Sequence, residues 1–170
     1  MKNVLISIQP QWVKKIAEGK KTIEVRKSRP RLKIPFKCYI YCTQAKTQKQ
    51  VLTYEQYCGF DMENYKDDFI ANGKVIGEFI CDHIYQYTTA NHLDGTNITT
   101  EEMEVRSCLT YVELERYELS AEPKDFSVYL IGLYGWNISD LKIYDEPHEL
   151  SELGIEKPPQ SWRYVEEMAK

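Results

Sequence analysis

Gly19-Lys20-Lys21-Thr22-Ile23-Glu24-Val25-Arg26-Lys27-Ser28-Arg29-Pro30 is the stretch on which the reading of this chain turns. Gly19 is placed to stop a helix in a left-handed turn. Thr22–Lys27 then alternates as a half-buried strand, with Ile23 and Val25 on one face and Thr22, Glu24 and Arg26 on the other. Glu24 and Arg26 are two residues apart, roughly 7 Å along the strand. Lys21, just after the turn, can lean over the same face. A cation, a carboxylate and a guanidinium around one small space suit a polar planar ligand, because Arg presents a planar fork and Glu accepts from amines. They suit acid–base or nucleophilic work if burial lowers the Lys pKa. The plainer alternative is a surface ion-pair strip.

On the N-terminal side, Asn3–Ile8 alternates as a strand. Pro10 then opens a helix, where its missing N–H costs nothing, and Trp12, Val13, Ile16 and Ala17 share one helical face. On the C-terminal side, Ser28–Pro35 holds two prolines and three bases and is an exposed loop. Phe36–Thr43 is a strand. Residues 44–73 are polar and weakly periodic, an insertion with a hairpin around Val51–Tyr57. Lys74–Tyr87 is one long strand pattern in which Gly77 marks a bulge. Thr99 with Glu102, and Thr110 with Glu113, form capping boxes that predict helices over 100–108 and 111–118. Asp125–Leu133 and Ile138–Tyr144 complete the sheet. The tail, near 146–170, is expected to wrap the body in extended form with Trp162 pinned into a pocket. Few helices and about six strands make a small α+β barrel in a single domain spanning 1–170.

Composition narrows the partners. With 42% hydrophobic and 28% charged residues, the 170-residue chain can build a core. The net charge of -4 hides an asymmetry: Lys20 to Lys37 holds eight bases and one acid, a local +7 that leaves -11 on the remainder. A basic cluster on an acidic body points to nucleic acid; Lys20, Lys27, Arg29, Arg31 and Lys33 are the candidate phosphate contacts. The five Cys residues (38, 42, 58, 81 and 108) include no CxxC pair, and His83, His92 and His148 are scattered. Neither a metal site nor a disulfide framework is expected, and no Gly-rich phosphate loop occurs. No apolar run approaches the ~20 residues of a membrane span, and a reducing cytoplasm is the expected compartment. Cys42 reads as a small core residue rather than a nucleophile. Trp136 either stacks a base at the cleft mouth or plugs one end of the barrel.

Gly19 to Arg26, preceded by Ser7-Ile8-Gln9-Pro10 and the Trp12/Ile16 helix, resembles the Gly-x-Lys-x-x-Glu-x-Arg signature of ASCH domains in the PUA-like superfamily. Gly135–Leu141 and Pro158–Trp162 resemble features of small ASCH proteins of phages and prophages. The resemblance implies a PUA-like barrel with short flanking helices and a cleft lined by Lys21, Glu24 and Arg26. The expected partner is RNA or a modified nucleoside, with no cofactor. Some ASCH proteins are amidohydrolases that remove the acetyl group of acetylated cytidine with a Lys, a Thr and a Glu. Lys21 matches that Lys, Glu24 stands where the Thr would, and Glu78 is the candidate for the distant Glu. A third possibility is a phage-associated protein-interaction factor without catalysis. On this reading a carboxylate beside Lys21 raises its pKa and disfavours catalysis.

Overall fold

The computed structural model describes residues 2–44, 72–89, 97–120 and 132–168. In chain order these form β1 (Asn3–Ile8), α1 (Pro10–Ala17), β2 (Ile23–Arg26), β3 (Phe36–Cys42), β4 (Lys74–Cys81), β5 (Ile84–Tyr87), α2 (Thr100–Ser107), α3 (Tyr111–Leu119), β6 (Leu133–Asn137), β7 (Ser139–His148) and β8 (Trp162–Val165). A short 3-10 turn, Leu150–Leu153, precedes β8. The expected insertion, apart from its edges, and most of the predicted strand Asp125–Leu133 lie outside the described residues.

The fold is α+β, but the strands make two sheets rather than the closed barrel that was expected. One sheet has the order β7-β4-β3-β1-β8 and the other β2-β6-β5. β1 pairs parallel with β3, and the remaining pairs among the described residues are antiparallel. The two sheets are joined where the chain turns from β4 into β5 and from β6 into β7. At the first corner Asn137 N donates to His83 O (2.9 Å) and Asn137 Nδ2 to Asp82 Oδ1 (2.6 Å). These bonds explain why the single long strand pattern over Lys74–Tyr87 becomes two strands in different sheets. Periodicity continues across the corner although the ladder partner changes.

Three apolar clusters fill the structure. Val4, Ile6 and Ile8 of β1 join Cys38, Ile40, Phe79 and Trp136 between the sheets. Leu5 lies on the other face with Tyr39, Tyr41, Val75 and Tyr144. Ile23 and Val25 of β2 pack with Met103 and Leu114 from α2 and α3. Thus β2 turns its aliphatic residues to the helices, as its alternation predicts, and leaves Glu24 and Arg26 facing the other way. Both capping boxes are formed, with Thr99 and Thr110 each accepting from the N3 amide while the N3 carboxylate returns to the cap amide. The tail does more than wrap: β8 adds a strand to the sheet edge beside β1, with Ile6 opposite Trp162.

The bulge expected at Gly77 is present. Ile40 faces Gly77 and Tyr41 faces Val75, so Ile76 is the extra residue of β4. A Cβ on Gly77 would sit 2.4 Å from the Lys142 carbonyl oxygen of β7, a backbone atom that cannot swing away. Gly77→Ala is therefore expected to lower the unfolding free energy by roughly 1–3 kcal/mol through overpacking. Urea unfolding checks this as a lower midpoint at unchanged slope; an unchanged midpoint would mean that the β4–β7 pairing yields without cost.

Candidate functional site

The turn after α1 builds the site's first side chain. Gly19 adopts φ +69°, and the amides of Lys20 and Lys21 both donate to Lys15 O (2.9 and 3.0 Å). This tight exit points Lys21 back under the helix. Its Nζ donates to Ser107 O at 2.7 Å, a carbonyl in the last turn of α2, where the helix end favours a cation. The same ammonium lies 5.4 Å from the centre of the Trp12 ring and 3.4 Å from Glu24 Oε2.

Glu24 and Arg26 extend the group along β2. Arg26 Nη2 donates to Glu24 Oε1 at 2.9 Å and to Ser7 O of β1 at 2.6 Å, and Nη1 reaches Ser161 Oγ at 3.4 Å. The three charged residues are almost fully buried: Lys21 is 3% exposed, Glu24 6% and Arg26 9%. Two of their polar atoms, Glu24 Oε2 and Arg26 Nε, are buried with no hydrogen-bond partner. A buried polar atom with no partner costs about 1–3 kcal/mol; Arg26 Nε has none, and Glu24 Oε2 has only the Lys21 ammonium at 3.4 Å, which marks a place not tuned for stability alone.

A cavity of about 380 Å³ opens against this triad. Ser7, Ile8 and Gln9 at the end of β1, Trp12 of α1, Thr43, Gln160, and Glu113 and Tyr117 of α3 complete its wall. Trp12 and Tyr117 are half-buried and supply the aromatic surface. The sequence reading placed Trp12 on the packed face of its helix and gave Tyr117 no role. Nothing in the spacing of Tyr111–Leu119 shows that this helix lies across the cleft, because its position is set by long-range packing of Leu114 against β2.

Charge and burial compete at Lys21. Burial pushes its pKa below the ordinary value, while attraction to Glu24 opposes this without cancelling it. The carboxylate alone was expected to raise the pKa. That expectation missed that the ammonium loses nearly all of its water, and desolvation wins over one ion pair at 3.4 Å.

The other candidates are placed elsewhere. Glu78 does not line the cavity: its carboxylate accepts from Tyr144 Oη at 2.7 Å and lies 3.6 Å from Lys37 Nζ, on the sheet face of the Tyr39 cluster. Trp136 has no exposed surface and packs edge-on against Phe36 and Trp162 in the core, so its ring faces are not open for stacking a base. Lys20 is exposed and pairs with Glu18 at 2.8 Å. Lys27, Arg29, Arg31 and Lys33 follow β2 on the outer surface, Lys27 half-buried and the other three exposed. Cys42 is buried in the core, and burial pushes its thiol up to about 12, which leaves it protonated at neutral pH. Among the described residues no group of three His, Cys, Asp or Glu side chains could hold a metal ion, and no helix is long and apolar enough to cross a membrane.

Comparison with known proteins adds two findings. The ASCH domain family model matches residues 6–145. The fold is similar to the crystal structure of ASCH from Zymomonas mobilis, with a TM-score of 0.59 at 18% identity, covering 96% of this chain and 87% of that one. A serine-to-alanine variant of the Zymomonas mobilis protein gives 0.56 at 18% identity, with coverages of 98% and 89%. At such identities the likeness is one of fold. No curated protein matches the chain.

The buried ammonium gives a pH test with a definite sign. A Lys whose folded pKa lies below its unfolded value near 10.5 binds fewer protons folded than unfolded between those two pH values, so stability rises with pH across that window. Lys21→Met removes the term. The stability of the wild type minus that of Lys21→Met should increase from neutral pH towards pH 10.5, measured by urea unfolding at several pH values. A flat or falling difference would show that attraction to Glu24 outweighs burial.

Proposed function

Because the chain belongs to the ASCH domain family, we propose that the Lys21–Glu24–Arg26 cleft binds a nucleoside, carried in RNA or free in modified form. We read the two sheets as a PUA-like barrel left open along the seam between β2 and β1, and residues 1–170 as one domain with an insertion near 44–73. The observation that carries the reading is the convergence of three buried, oppositely charged side chains on one cavity. Its size, about 380 Å³, falls in the range of small-molecule sites. Glu24 accepts from a base amine, Arg26 and Lys21 donate to ring nitrogens or carbonyls, and Trp12 and Tyr117 cover the ring faces. Lys20, Lys27, Arg29, Arg31 and Lys33 lie on the outside, where phosphates would run.

A second reading is favoured by one observation, the lowered pKa of Lys21. An amine whose pKa is lowered by burial gives up its proton more readily, as a base or nucleophile must. In an amidohydrolase acting on acetylated cytidine, water adds to the acetyl carbonyl, the C–N bond breaks, and acetate and the free amine leave. Lys21 would take the proton from water, and Glu24 would relay that proton from the Lys21 ammonium to the departing nitrogen, leaving both groups as they began. Glu78 has no part in this version, since its carboxylate is engaged with Tyr144 and Lys37.

Calorimetry with the four ribonucleosides and acetylated cytidine tests the first reading, and chromatographic detection of cytidine tests the second. Binding is expected for the wild type and should weaken about tenfold or more in Glu24→Gln, the size of a lost hydrogen bond to a charged group. Turnover abolished by Lys21→Ala would promote the hydrolase. Absence of both binding and turnover would leave a protein-interaction role.

A further inference from the structure

The family match ends at residue 145, yet the segment after it reaches back to the site. Ser7 Oγ donates to Pro159 O (2.6 Å), Ser7 N to Ser161 O (2.9 Å), and Arg26 contacts Ser161. Two further contacts tie this segment to the loop after β2. Trp162 Nε1 donates to Ser28 Oγ at 3.1 Å, and the Arg31 amide donates to Tyr164 Oη at 2.7 Å. The Trp162 and Tyr164 rings meet edge-on with centroids 5.5 Å apart. The loop is therefore fastened at both ends to β8, and Pro30 between them is buried.

Against the fastened loop lies an open groove of about 520 Å³, lined by Lys27, Ser28, Arg29, Pro30, Arg31 and Tyr134. Among the described residues none of its three cations forms an ion pair, and Lys27 Nζ donates to Ser120 Oγ at 2.7 Å. The ion pairs formed among the described residues use Lys14, Lys20, Lys21, Arg26, Lys37, Lys74 and His148 instead. Arg29 stands over the Tyr134 ring at 5.9 Å. Lys27 stands over Tyr117 at 4.9 Å, and Tyr117 is a wall of the buried cavity. The groove and the cavity therefore meet at one aromatic side chain.

We infer that the Ser28–Arg31 loop and β8 together form a second subsite, which binds the phosphate ester attached to the nucleoside in the cleft. The inference rests on the proposed nucleoside reading for what fills the cleft, and on the groove's own charge for the phosphate. A solvated basic loop kept for solubility needs no fastening. This one is held by two hydrogen bonds from a segment outside the family match, which fixes its cations before a ligand arrives and reduces the ordering cost of binding. Phosphate of the required kind is carried by a mononucleotide or by a nucleic-acid strand.

The test is a set of affinities for the four ribonucleosides, their 5′- and 3′-monophosphates, and a six-nucleotide single-stranded RNA, each at two salt concentrations. A phosphate is expected to tighten binding about tenfold, as charge-assisted hydrogen bonds do, and this gain should shrink with salt. Arg29→Ala combined with Arg31→Ala should abolish the gain. Tyr164→Phe and Ser28→Ala keep every charge; they should reduce the gain about fivefold, the value of one lost hydrogen bond, while nucleoside affinity stays unchanged. A larger gain for the RNA than for the monophosphates identifies a strand as the source; equal gains identify a mononucleotide. Equal affinity for nucleosides and their phosphates, or a gain that survives the double Arg variant, overturns the subsite and leaves the cleft reading intact. Phosphate-dependent RNA binding without nucleoside binding would do the reverse.

Discussion

One guanidinium bridges the two sheets where no ladder does. β2 is the edge of one sheet and β8 the edge of the other, with β1 next to it. Among the described residues no backbone pairing joins β2 to β1 or β8. Arg26 spans the gap, holding Ser7 O on one side and Glu24 on the other. A strand edge with unpaired groups is a liability. Here the seam is occupied by a side chain that carries its own donors, and α1, α3 and the C-terminal segment cover it. The pocket is that seam. Loss of Arg26 would remove the tie between the two sheet edges and, on the proposed reading, a binding group as well.

The energetics explain why the seam does not close. Taking three charges out of water costs several kcal/mol per ion, and pairing recovers this only with good geometry. Glu24 receives one good partner in Arg26 and one loose partner in Lys21, while a carboxylate oxygen and the Arg26 Nε are left without hydrogen bonds. Replacing buried ion pairs by well-packed aliphatic residues is often neutral or stabilising. On the proposed reading, a costly polar seam is the compromise of a site that receives a polar ligand, which would supply the missing partners.

Much of this was legible in the sequence where local rules decide. Gly19 ends the helix, β2 alternates, and two capping boxes start two helices, because turn chemistry and period-two alternation act over a few residues. The Lys21–Glu24–Arg26 grouping follows from those same rules. What was missed depends on partners distant in the chain. The expected strands Asp125–Leu133 and Ile138–Tyr144 leave Tyr134–Asn137 unassigned, yet Leu133–Asn137 is the centre of the three-stranded sheet. The tail, with Pro147, Pro158 and Pro159, is expected only to wrap in extended form, and the strand character of Trp162–Val165 comes from the waiting edge of β1. The sign of the Lys21 shift was misjudged because burial is a property of the whole fold, and the sequence showed only the neighbouring carboxylate.

The position of the C-terminal segment ties these points together. A seam bridged by one side chain is open at its rim, and something must hold that rim against thermal motion. β8 does so by pairing with β1 while its preceding residues grip Ser7 and Arg26 and its own side chains grip the basic loop. The same strand therefore sets the width of the buried cavity and the position of the surface cations. A ligand that touches both would sense them as one surface, because neither can move without disturbing β8. This argues against treating the polar cleft and the basic loop as two features that happen to lie side by side. They meet where Lys27 of the loop stands over Tyr117 of the cavity, and they share a clamp.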